Sequence, residues 1–237
     1  MSDMHLHLEE HLESSDMLSD IVIGMSDGLT VPFALAAGLS GAVSGNVSLI
    51  WIAGIAEICA GSIAMGLGGY LAGKTEQDHY ASELKQEYWE LEHKRDIEID
   101  EVRKVFLEWG LSKTVAEEAT QEIIKDDDRW VEFMMKHELG LTKPDPKRAS
   151  RSAFNIGVSY VVGGLIPLTP YFFVDNALKG LELSAMITLV CLFVFGYFKS
   201  KMTGINPWIG GLKVMMIGAL AAGAAFGIAR LIEGGHA

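Results

Sequence analysis

The sequence predicts an all-α membrane protein: a five-span transmembrane helix bundle with a water-exposed three-helix module inserted between spans two and three. Three observations carry this reading. The chain is 49% hydrophobic yet 21% charged, with a mean hydropathy of +0.25. Charge and apolarity are segregated, because 14 of the 19 Lys and Arg and 20 of the 31 Asp and Glu fall between Gly73 and Arg151. Elsewhere lie five apolar runs, at residues 21–43, 49–72, 154–173, 181–198 and 208–232, near the length of about 20 helical residues that crosses a hydrocarbon core.

These runs divide the chain into an acidic tail (1–20), spans one and two (21–73), the charged module (74–148) and spans three to five (149–237). The tail has no Lys or Arg, so it lacks the basic start of a signal peptide, and the first apolar run is expected to remain in the protein. Its histidines, His5, His7 and His11, alternate with Glu9, Glu10 and Glu13. That pattern reads first as disorder and second as a weak metal-capturing tail. Cys59 and Cys191 sit inside apolar runs and form no CxxC pair, which implies neither a disulfide framework nor a thiolate metal site. The net charge of -12 argues against nucleic acid and suits cations.

Orientation follows from the basic residues beside the spans, which prefer the cytosol. Lys74, Arg148 and Arg151 flank the module, and Lys199 and Lys201 lie between spans four and five; the opposite loops offer only Lys179. The N-terminus and the module are therefore expected in the cytosol. Gly24/Gly28, Gly41/Gly45, Gly69/Gly73 and Gly223/Gly227 have the small-xxx-small spacing that lets helix backbones approach closely in lipid. Packing within one chain is the first reading, and a homodimer seam the second.

Within the module, residues 77–109 contain no Gly or Pro and are rich in Glu, Lys, Arg and Leu, which predicts one long helix stopped by Gly110. Further helices are expected at 112–125 and 128–139, the last stopped by Gly140 before a KPDP linker. On the long helix Glu87, Glu90, Glu98 and Glu101 fall on one stripe, with Lys94 among them. A solvated face explains such a stripe; so does an oxygen-ligand surface for divalent metal. The third helix carries Met134, Met135 and Glu138. Thioether and carboxylate together favour a transition metal over magnesium or calcium, while paired methionines are also ordinary core filler. In the spans, Asp27 and Glu57 lie several residues inside apolar runs, where a charge costs about 2.5–3.5 kcal/mol or more; the first reading is an ion or proton pathway, and the second an interfacial group snorkelling to water. Met65 follows Glu57 by two helical turns.

The run SDIVIGMSDGLTVPFALAAGLSG (19–41) resembles the first span of the vacuolar iron transporter family. GSIAMGLGGYLA (61–72) resembles its second span, and WVEFMMKHELGLTKP (130–144) the end of its cytosolic metal-binding domain. The resemblance implies a five-span homodimer that exchanges cytosolic Fe2+ for protons, with no permanently bound cofactor and no enzymatic activity. It implies metal ligands at Glu87, Glu90, Glu98, Glu101, Met134, Met135 and Glu138, where Mn2+, Co2+ or Zn2+ also fit, and a path past Asp27 and Met65 with Glu57 linked to transport. His93, Lys94 and Arg95 depart from the more acidic or neutral stretch expected of the plant members, which implies weaker metal affinity or a different number of bound ions, and the acidic, lysine-free tail differs from the plant pattern in detail. These departures point to a prokaryotic origin and a plasma (inner) membrane; in a eukaryote the vacuolar membrane is expected.

Two other functions compete. A membrane-anchored, ferritin-like di-iron ferroxidase would use the Glu-x-x-His motif Glu90–His93, but such sites need a second motif on another helix. A metal-gated sensor or scaffold has no need of Asp27 and Glu57.

Overall fold

The computed structural model describes residues 16–42 and 46–234, all of its regular structure helical. The tail histidines and Gly45 lie outside the described residues. Five helices are long and apolar enough to cross a membrane: α1 (Asp16–Ala42), the first part of α2 (Val47–His93), α6 (Arg148–Leu168) with the 3-10 turn Thr169–Phe172, α7 (Ala177–Met202) and α8 (Pro207–Gly234). Between them come α3 (Arg95–Glu108), α4 (Lys113–Ile123) and α5 (Asp127–His137). The chain separates into two compact units, one built from residues up to Tyr70 and from Ser150, the other spanning Leu71–Ala149.

Small residues build the first unit. A Cβ on Gly24 would sit 2.3 Å from the Ile156 carbonyl oxygen, and one on Gly28 would sit 2.4 Å from that of Tyr160. Only glycine lets α1 lie this close to α6. Gly54, Gly61, Gly66 and Gly69 bring α2 onto the same helix, and Gly196, Gly210 and Gly211 join α7 to α8. The spacing at Gly24/Gly28 thus serves packing within the chain, whereas a Cβ on Gly223 or Gly227 would meet no atom of the described residues within 4 Å. Polar side chains turn inward: Ser184 and Thr188 are fully buried, and the Ser184 hydroxyl donates to the Pro167 carbonyl at 2.7 Å. Large apolar side chains such as Ile63, Val190, Leu220 and Leu231 are more than half exposed, a surface suited to lipid rather than water.

The second unit corrects the expectation of one helix over 77–109. Its first part is the continuation of α2, and the helix breaks at Lys94, whose backbone (φ -133°, ψ 30°) leaves the helical region. No Gly or Pro marks this break. Tertiary packing sets it: Leu91 of α2 and Val102, Val105 and Phe106 of α3 enter one core with Trp130, Phe133, Met134 and Met135 of α5. Arg95, the first residue of α3, lies 4.8 Å from the Trp130 ring and pairs with Asp127 at 3.2 Å. The other boundaries fall where local chemistry puts them. Gly110 and Gly140 take φ of +86° and +66° after α3 and α5, the left-handed conformation that glycine adopts without strain. Asp126 caps α5 by accepting the Arg129 N–H at 2.8 Å.

Candidate metal-binding cluster and membrane carboxylates

In the second unit, the break at Lys94 sets the glutamates of α2 beside those of α3. Glu87 and Glu98 are 5% and 2% exposed. Burial, as the first cause, pushes the Glu87 carboxyl up to about 7, followed by the charges of Glu138, Glu90, Glu101 and Glu83. Glu98 is also pushed up to about 7, first by burial and then by Glu101, Glu87, Glu90 and Glu138. Glu138, just past α5, is open to water on one side. Its carboxyl is nevertheless raised, first by desolvation and then by Glu101 and Glu90, with Lys104 opposing. The four glutamates of the stripe and Glu138 therefore act on one another as a single cluster, even though the helix that was expected to align them is broken.

Lys94 stands at this cluster. Its ammonium donates to Glu90 Oε1 at 2.8 Å and lies 5.4 Å from the Trp89 ring. As the side chains stand, no three His, Cys, Asp or Glu among the described residues converge closely enough to hold an ion. The arrangement is a concentration of negative charge, not an assembled ligand cage. Met134 and Met135, 0% and 1% exposed, are packed in the apolar core. Met134 nonetheless lies one turn before Glu138, whose N–H donates to the Met134 carbonyl at 3.0 Å.

The di-iron alternative finds no support. His93 is exposed, stacked on Trp89 with ring centroids 4.5 Å apart, and its Nδ1 lies 2.8 Å from the Trp89 carbonyl. No second Glu-x-x-His occurs on α5.

In the first unit, Asp27 on α1 and Glu57 and Met65 on α2 are all half-buried. Sequence reasoning missed two polar residues of this unit, Tyr160, which holds Glu57, and Asp20, a second carboxylate of α1. The Tyr160 hydroxyl of α6 donates to Glu57 Oε1 at 2.5 Å, while Glu57 Oε2 is buried without a hydrogen-bond partner among the described residues. Asp27 lies within electrostatic reach of the same hydroxyl. Asp20, 2% exposed, accepts from Ser152 Oγ at 2.8 Å and from Asn155 Nδ2 at 3.3 Å. A signal for Asp20 existed: it precedes Asp27 by seven residues, so both fall on one helix face. Tyr160 had none, because a tyrosine in an apolar run is unremarkable until its partner is known.

Known proteins match this chain over nearly its whole length. The model of the VIT family matches residues 18–230. "Vacuolar iron transporter 1" of Tulipa gesneriana is 49% identical over 229 residues, covering 96% of this chain and 92% of the relative. "Vacuolar iron transporter 1" of Arabidopsis thaliana is 47% identical over 227 residues, covering 96% and 90%. "Protein CCC1" of Saccharomyces cerevisiae is 38% identical over 226 residues, covering 91% and 69%. With five helices long and apolar enough to cross a membrane, and an acidic helical unit between the second and third of them in chain order, the chain belongs to the VIT, or vacuolar iron transporter, family.

Proposed function

We propose that this protein carries Fe2+ out of the cytosol across a membrane in exchange for protons, with Mn2+ and Co2+ as companion substrates. The observation that carries the reading is the cluster of five mutually repelling carboxylates, two of them buried and pushed up to about 7. Such a cluster is relieved by a divalent cation more than by a lysine. Binding requires the glutamates to turn toward the ion and Lys94 to leave Glu90. Met134 adds a soft ligand if its turn loosens, which would favour transition metals over magnesium or calcium.

In the membrane unit the ion passes Asp27 and Met65, with Glu57 beside the path. A proton and a metal compete for the same carboxylates, because a protonated acid is a poor ligand; that competition couples the two fluxes. The N-terminus and the acidic unit face the cytosol on the distribution of basic residues, and the assembly is a homodimer. The vacuolar membrane is the proposed location where the cell has a vacuole, since plant and fungal relatives carry that word in their names.

Proteoliposomes holding a metal-quenched dye and a pH dye test this together. Wild type should take up Fe2+ with an opposing proton flux, and Asp27→Ala should take up none. Unchanged Fe2+ flux in Asp27→Ala refutes the path. Metal flux without proton flux refutes the exchange.

A further inference from the structure

We infer that Tyr160 is a positioning residue of the transport path: its hydroxyl fixes one oxygen of Glu57 so that the other stays free for the transported cation or proton. The inference rests on the transport reading of the membrane unit and adds to it a residue on α6 that the path would not otherwise include.

Four observations converge. The Tyr160 O–H donates to Glu57 Oε1 at 2.5 Å, joining α6 to α2. Among the described residues, Glu57 Oε2 is buried with no hydrogen-bond partner. A buried, unsatisfied carboxylate oxygen is costly and rare, and calls for a function or a missing ligand. Space for the tyrosine ring is provided by a glycine: a Cβ on Gly61 would sit 2.4 Å from the Tyr160 hydroxyl. The Tyr160 backbone is itself seated against α1, its carbonyl oxygen 2.4 Å from where a Cβ on Gly28 would be. Gly28 directly follows Asp27. Tyr160 thus touches α1 beside one membrane carboxylate with its backbone and holds the other through its side chain.

The chemistry of the clamp is asymmetric. A hydroxyl that donates to one carboxylate oxygen fixes the plane of the group and leaves the second oxygen to a cation or a proton. Without the clamp Glu57 regains rotamer freedom and presents no defined oxygen. The clamp acts while Glu57 changes partners, so its loss should slow turnover more than it weakens first capture of metal, which occurs elsewhere.

The test uses Tyr160→Phe, which keeps the ring and its packing, in the full chain reconstituted in liposomes, with Glu57→Gln and the double variant. Removing a hydrogen bond to a charged group should lower maximal Fe2+ flux about 10- to 100-fold, leaving the half-saturating Fe2+ concentration within about twofold. In the double variant the two losses should not multiply, since Tyr160 acts through Glu57. Independently of transport, the infrared carboxyl band that Glu57→Gln removes should shift in Tyr160→Phe. Wild-type flux with an unaltered Tyr160→Phe flux overturns the inference, as do multiplicative losses or an unshifted band. Absence of wild-type flux with a shifted band refutes the transport reading and leaves the clamp standing.

Discussion

Glu98→Gln isolates the strain stored in the acidic cluster. In the folded protein Glu98 is pushed up from 4.5 to about 7, first by burial and then by Glu101, Glu87, Glu90 and Glu138. The unfolded chain lacks that environment. Between pH 4.5 and 7 the folded state therefore holds protons that the unfolded state has released, and without metal the stability of this unit falls as pH rises through that window. A shift of this size converts to about 3 kcal/mol at 1.36 kcal/mol per unit. Water and ions reach the cluster from the Glu101 and Glu138 side, and that screening lowers the effect to about 1–2 kcal/mol. Glu87 shares the same proton equilibrium, so the fall belongs to the pair. Glutamine keeps the shape and removes the charge. Hydrogen exchange of the α3 and α5 amides, in detergent with chelator and corrected for intrinsic rates, reads the result. Wild type should lose protection between pH 5 and 8, and Glu98→Gln should lose about half as much and be the more protected protein at pH 8. Adding Mn2+ should restore wild-type protection at pH 8 by about 2.7 kcal/mol at a concentration of 100 times Kd, and restore the variant less. Equal pH dependence in the two proteins refutes the reasoning, because Glu98 would then be stabilised by a partner and not repelled by its neighbours.

Two further changes separate packing from ligation. Met134→Leu preserves the volume of a fully buried side chain and should cost less than about 1.5 kcal/mol in thermal stability, while lowering preference for Co2+ over Mg2+ in competition titrations if the sulfur reaches the ion. Lys94→Gln removes the ammonium from Glu90 and should tighten Mn2+ binding several-fold by calorimetry, an effect that shrinks as salt rises.

Much of this architecture was legible in the sequence, and the reasons differ by element. The five spans could be read because bilayer thickness imposes a length that composition alone satisfies, and the structure places them within a few residues of the apolar runs, except that α2 continues to His93. Gly110 and Gly140 could be read as helix stops because the left-handed backbone they adopt is a local property. The break at Lys94 could not. Residues 77–109 all favour helix, and the break exists because Leu91 and Val102 share a core with α5. Helix propensity is blind to that contact.

The glutamates show both sides. Their spacing placed Glu87, Glu90, Glu98 and Glu101 on one stripe for the wrong reason, an unbroken helix, yet their mutual electrostatic influence is what the structure has. Sequence by itself determined which segments are long and apolar enough to cross a membrane and where charge is concentrated, since both depend only on the composition of continuous stretches. The tertiary structure alone decided that Glu87 and Glu98 are buried while Glu138 joins them from the end of α5, and that Tyr160 holds Glu57. Each of those joins residues far apart in the chain, and how such residues meet is set by helix packing and not by the sequence around them.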